Sequence, residues 1–185
     1  MSYKPHKLLL DHHELLLNPV QSLPVLDLAC GSGQNGFVIA ERGTPVVFAD
    51  RSATALEKIK QRLQDEQLPG RTWHVDLEQP GINPLSGQSF SAIICFRYLH
   101  RPLFPAILHA VMPGGLVVYE TFTIGNRRFG RPRSGEFLLR PKELENTFQG
   151  WEILHSFEGT LAEPDRCVAQ VVVRKPRAPV SQAKN

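Results

Sequence analysis

Val25-Leu26-Asp27-Leu28-Ala29-Cys30-Gly31-Ser32-Gly33-Gln34-Asn35-Gly36 decides the fold of this 185-residue chain. A strand-like apolar run, Val25 to Ala29, stops at Gly31 and Gly33, and good helix positions follow from Gln34 to Arg42. The pattern is a buried strand, a tight turn and a helix N-terminus, the first half of a βαβ nucleotide site. Glycine suits that turn because a side chain would fill ligand space and resist positive φ. Asp27, late in the strand, is placed to orient a ligand across the turn.

Outward from this unit, the chain alternates. Thr44 to Asp50 reads as a second buried strand ending in an acid, and Ser52 caps a helix from Ala53 to about Gln67. Thr72 to Val75 is a third strand, ending at Asp76-Leu77, and Glu78 to Gln88 is loop. Phe90 to Phe96 is a fourth strand, Pro102 to Val111 a helix stopped by Met112-Pro113-Gly114-Gly115, and Leu116 to Thr121 a fifth strand. Strand-helix alternation implies a parallel sheet with right-handed crossovers. The end differs: Gly125 to Arg140 is a loop rich in Gly and Arg, and Pro141 to Phe148 a short helix. Trp151 to Phe157 and Cys167 to Arg174 are strands too close for a helical crossover, so they pair antiparallel. Before the first strand, a helix over about residues 6–18 carries His12 and His13. The simplest reading leaves both solvated; a second turns one of them toward the cleft. The expected organisation is one α/β domain over residues 1–175 and a disordered tail over 176–185.

Composition narrows the classes. With 42% hydrophobic and 21% charged residues, the chain is long enough for one α/β core, and no run reaches membrane-spanning length. A net charge of +3 is too small to argue for nucleic acid. Cys30, Cys95 and Cys167 show no metal or disulfide spacing. No metal site and a reducing cytoplasmic setting are expected, and the leucine stretch after residue 6, broken by charge, is a poor leader.

Gly31-Ser32-Gly33-Gln34-Asn35-Gly36 satisfies G-x-G-x-x-G, so a dinucleotide has to be weighed. Asp27 would meet a pyrophosphate with unwelcome negative charge, and the antiparallel finish replaces the second βαβ half. S-adenosylmethionine, with its ammonium and cationic sulfur, suits Asp27. Asp50 can accept both ribose hydroxyls, and Asp76 can accept from the adenine amino group. Leu77 and Arg51 can flank the ring, with Phe96 closing the fourth strand on the cofactor side. Acids at the ends of three successive strands converge on one crevice.

From about Val25 to Arg174 the chain resembles class I S-adenosylmethionine-dependent methyltransferases. Val25 to Gly33 resembles that family's first motif, with Ala29 in place of the commonest glycine; the resemblance implies a cofactor contact through the Ala29 carbonyl and through Gly31 and Gly33. Asp50 matches the ribose-binding acid, Asp76 the adenine-contacting acid, and Met112 to Val118 the motif before the fifth strand. The implied fold is Rossmann-like, α/β, a mostly parallel seven-stranded sheet with helices on both faces and an antiparallel C-terminal strand pair. Phe137 to Leu144 and Gly150 to Ile153 resemble the tellurite-resistance and related small-molecule methyltransferases (types 11 and 12).

Methyl transfer is an in-line displacement in which alignment supplies much of the rate. A base is needed only where the acceptor must lose a proton, and His100 and Tyr98 are the candidates. Arg97, Arg101, Arg127 and Arg128 are candidate substrate ligands, because arginine's fork matches carboxylate, phosphate or a chalcogen oxyanion. The loop holding Arg127 and Arg128 would then act as a lid. The expected function is methyl transfer to a small, anionic or chalcogen- or oxygen-nucleophile acceptor. An RNA- or protein-directed methyltransferase and a non-catalytic S-adenosylmethionine-binding module are the alternatives, and oligomeric state is not legible.

Overall fold

The computed structural model describes residues 4–177. Seven strands form one sheet in the order β3-β2-β1-β4-β5-β7-β6. They are β1 (Val25–Leu28), β2 (Val46–Asp50), β3 (Gly70–His74), β4 (Phe90–Phe96), β5 (Val111–Phe122), β6 (Glu152–Leu161) and β7 (Arg166–Arg174). The first five pair in parallel, and β7 runs antiparallel between β5 and β6. The expected Rossmann-like architecture is the one observed.

Both faces of the sheet are covered, which is why β1 and β4 are apolar without alternation and buried throughout. Helices α1 (Lys7–His12), α2 (Gln34–Ala40) and α3 (Ala53–Asp65) pack on the face carrying Val25, Val46, Phe48 and Ile94. Helices α4 (Phe104–Ala110) and α5 (Glu143–Thr147) cover the face carrying Leu26, Val47, Ile93 and Val117. Between β3 and β4 a loop stands where a crossover helix would lie, and it seals this face with Leu77 and Leu85.

Several boundaries differ from the sequence reading, three of them by more than a residue or two. The N-terminal helix is short: α1 ends at His12 and a 3-10 turn follows over His13–Leu16. Strand β5 starts five residues early because Val111 pairs with Phe90 before a bulge, so Met112 to Gly115 lie inside the strand. Strand β6 continues to Leu161 because it pairs with Arg166, making β6 and β7 a hairpin. The expected tail falls outside the described residues from 178 onward, while Pro176 and Arg177 carry no regular structure.

Candidate cofactor and acceptor site

The parallel register brings the carboxyl ends of β1, β2 and β4 to one edge. Just beyond them, Ala29 takes φ 54° and Gly31 φ 55°. The Gly31 N–H donates to Asp50 Oδ2 over 2.8 Å, and Cys30 N donates to the Ala49 carbonyl. A Cβ on Gly31 would meet nothing of the protein within 4 Å, so this glycine leaves open space where a ligand approaches. Gly36 has a different role. Its N–H donates to Asp27 Oδ2 at 2.9 Å, and a Cβ there would lie 2.8 Å from that oxygen and inside the Phe48 ring's envelope. The last glycine of the motif thus lets α2 press its backbone onto a buried carboxylate.

Ala29 stands between two cavities. One, of about 160 Å³, is lined by Asp50, Arg51, Val75, Asp76, Leu77, Glu78 and Tyr98. The other, about 350 Å³, is lined by His6, Asp27, Cys30, Gly31, Phe96 and Arg97 among others. Asp50 spends one oxygen on Gly31 N and the other on Ser52 N, and each keeps a lone pair directed outward. Asp76 caps its own turn through Glu78 N. Asp27 is 1% exposed, and burial pushes its carboxyl up to about 7; the Gly36 N–H pulls it back and the Asp50 charge pushes it further.

Residues 25–115 match a methyltransferase domain model. An uncharacterized methyltransferase of Bacillus subtilis, YodH, is 33% identical over 76 residues, 41% of this chain and 31% of that protein. Mouse (Mus musculus) glycine N-methyltransferase is 32% identical over 114 residues, 52% of this chain and 39% of that protein. The chain therefore spans a third or slightly more of the length of these curated relatives. The crystal structure of TehB from Haemophilus influenzae superposes with a TM-score of 0.72 at 21% identity, over 92% of this chain and 62% of that one. Residues 25–115 thus match a methyltransferase domain, and the sheet has the class I methyltransferase fold.

The residues of the crevice fit S-adenosylmethionine as cofactor. Tyr98 Oη is a buried hydroxyl with no partner among the described residues, and its ring lines the cavity of Asp50 and Asp76. The Asp50 and Asp76 carboxylates in this small cavity suit the nucleoside half, which brings hydroxyls and an amino group. The Asp27 cavity suits the methionine half, whose ammonium and sulfonium would draw that carboxyl into its ionised form.

The structure sorts the remaining sequence candidates by place. Leu77, Arg51 and Tyr98 line the cavity of Asp50 and Asp76, and Phe96 and Arg97 line the cavity of Asp27. His100 does neither. Arg97, at φ 55°, turns the chain away from the crevice, and His100 lines a third cavity with the 77–84 loop and the start of α4. Arg101 has all five guanidinium hydrogens engaged, with both Glu143 oxygens and the carbonyls of Gly135, Glu136 and Leu138. It holds a loop in place and keeps no donor for an acceptor. Arg127 donates to the Arg133 carbonyl and Arg128 to Thr160 Oγ1, and neither lines a crevice cavity. Their loop is anchored by Leu138 and Leu139, both at 0% exposure, and by Asn126, which bonds Cys167 N and the Arg131 carbonyl.

Sequence reasoning missed His6 and Asn35, while Glu120 was legible as a polar residue at the end of the fifth strand. It looked for a cleft-facing histidine on the N-terminal helix and considered His12 and His13. The ring of His12 instead stands 5.2 Å from that of His155, and His13 Nδ1 bonds the Leu10 carbonyl. His6, which precedes the helix, enters the cavity. A lone histidine ahead of a six-residue helix carries no periodic signal that could have singled it out.

Proposed function

We propose that this chain transfers a methyl group from S-adenosylmethionine to a small acceptor entering beside His6, Phe96 and Arg97. The observation that carries this reading is the pair of cavities meeting at Ala29. One holds the acids a nucleoside needs; the other holds a buried carboxylate matched to a cation. The relative named for glycine as its substrate supports a small acceptor. Cofactor chemistry supplies the methyl as an electrophile; the chain's own residues bind, align and exclude water.

Arg97 supports an anionic acceptor. Its side chain is exposed at the methionine-side cavity, with its guanidinium 6.0 Å from the Phe122 ring and no carboxylate partner among the described residues. Its fork is therefore free for a carboxylate or an oxyanion.

The test is calorimetry with S-adenosylhomocysteine, followed by an acceptor screen coupled to its release. Binding of that product with no binding of NAD is expected; the reverse would remove the reading. With an acceptor in hand, Arg97→Ala should raise acceptor KM about tenfold or more and leave product affinity unchanged, the loss of one charge-assisted contact. A fall in product affinity at constant acceptor KM would move Arg97 to the cofactor's carboxylate.

A further inference from the structure

The geometry points to His6 and Glu120 as a general-base dyad at the acceptor end of the crevice, an inference that rests on the methyl-transfer reading above. His6 Nδ1 lies 3.1 Å from Glu120 Oε1, and its ring stacks on Phe96 with centroids 4.5 Å apart and planes at 25°. Its backbone N–H donates to Asn35 Oδ1 at 3.0 Å, which ties the residue to α2. The side chains of His6 and Glu120 are 8% and 3% exposed. Ring face, ring nitrogen and backbone are each held, so the imidazole has one orientation.

Glu120 is itself held from behind. Its Oε2 accepts from Gln170 Nε2 at 2.6 Å, and Gln170 Oε1 faces His155 Nε2 at 3.1 Å. Burial works to raise the Glu120 carboxyl, and the bonds from His6 and Gln170 outweigh it, leaving the group below the usual glutamate value. An ionised carboxylate only accepts, so Nδ1 carries the proton and Nε2 carries the lone pair. His6 Nε2 has no hydrogen-bond partner among the described residues and is not sealed off. The ring lines the cavity that holds Asp27, Gly31 and Arg97. An unpartnered imidazole nitrogen, oriented by a buried carboxylate and open to the methionine end of the crevice, is the arrangement a proton-bearing acceptor needs.

The step balances. Nε2 takes the proton of an acceptor O–H, N–H or S–H while the acceptor's electron pair forms the bond to the methyl carbon. The carbon–sulfur bond breaks and its pair returns to sulfur, giving a neutral thioether, a methylated acceptor and an imidazolium. The imidazolium then loses its proton to water. Asp27 on β1 and Arg97 after β4 line the same cavity as His6, and Arg166 on β7 acts on Glu120. Glu120 is a positioning residue; His6 is the one that meets the acceptor.

The experiment is NMR of the histidine rings in the full chain, with S-adenosylhomocysteine as probe and calorimetry in parallel. The expected result is His6 in the Nδ1–H form, with ring signals that move on adding the product. In Glu120→Gln the single tautomer should give way to a mixture of the two, because the amide no longer fixes the proton on Nδ1. An Nε2–H tautomer, or product binding that leaves His6 unmoved, overturns the dyad; no product binding overturns the methyl-transfer reading instead. Methyl transfer to a phenol, a primary amine and a thiol is then compared in wild type and His6→Asn. A loss of about 100-fold or more in kcat at unchanged S-adenosylmethionine KM is expected, shrinking as pH rises. Equal rates, or no wild-type turnover of any of the three, would count against a base at this position.

Discussion

At the scale of the residue, Asp27 carries the clearest conflict between stability and binding. Its carboxyl is raised from a usual value near 3.8 to about 7. A raised folded-state value means the native protein holds the proton that the unfolded chain has already lost. The associated stabilisation is complete below about pH 4 and is lost as pH rises toward 7. Asp27→Asn removes the titration while keeping an oxygen for the Gly36 N–H. The ligand-free variant should therefore gain on the order of 1–3 kcal/mol over wild type at pH 8 and nothing at pH 4, by denaturant titration. The same change should weaken S-adenosylmethionine binding, and wild-type affinity should climb between pH 6 and 8 while the variant's stays flat. Gly36→Ala tests the same contact from the other partner. Its added methyl collides with Phe48 and crowds Asp27, so a loss of about 1–3 kcal/mol is expected, with weaker product binding in calorimetry.

At the scale of the element, one side chain ties the segment from Gly135 to Glu143 to the start of α4. Arg101, at the start of the turn into α4, bridges three carbonyls of that segment and the first residue of α5. Its side chain is 30% exposed and that of Glu143 19%, so the pair is partly screened. Arg101→Ala should cost about 1–3 kcal/mol and speed amide exchange at 138–143 while exchange in β1 and β4 stays slow. Strand ends were legible here because each apolar run halts at an acid or a turn residue: Asp27 before Gly31, Asp50 before Ser52, His74 before Asp76. Helix phase was not. Nothing in Leu8 to Leu17 says which side of the helix meets the crevice, and the arginines of 127–140 look alike in sequence. Only the fold separates Arg97, free at the cavity, from Arg101, whose donors are consumed within the protein.

At the scale of the whole molecule, the antiparallel finish was legible in the spacing of the last two strands, whereas the strand order comes from the structure. The contact between Glu120 and Gln170 was not, since it depends on antiparallel register between strands 50 residues apart. The crevice lies where β1 meets β2 on one side and β4 on the other, the switch point of the sheet. Because β1 pairs with both, a ligand there bridges the two halves of the molecule and should stabilise it as a unit. At a product concentration a hundred times its Kd, the gain is about 2.7 kcal/mol. A thermal melt with S-adenosylhomocysteine should move the entire transition upward, and NAD should leave it in place. Among the described residues no helix is long and apolar enough to cross a membrane, and no cluster of three or more His, Cys, Asp or Glu could hold a metal.

Ala29 has a consequence of its own. It is the one residue shared by the two cavities, and under the proposed function it stands as a watershed between recognition of the nucleoside and choice of the methyl's destination. Substitutions on opposite banks, such as Asp76→Ala and Arg97→Ala, have no common partner among the described residues, so their effects should multiply in a double-mutant cycle. The two properties can then drift separately: such a chain can be retuned to a new acceptor on the His6 bank while the adenosine bank stays as it is.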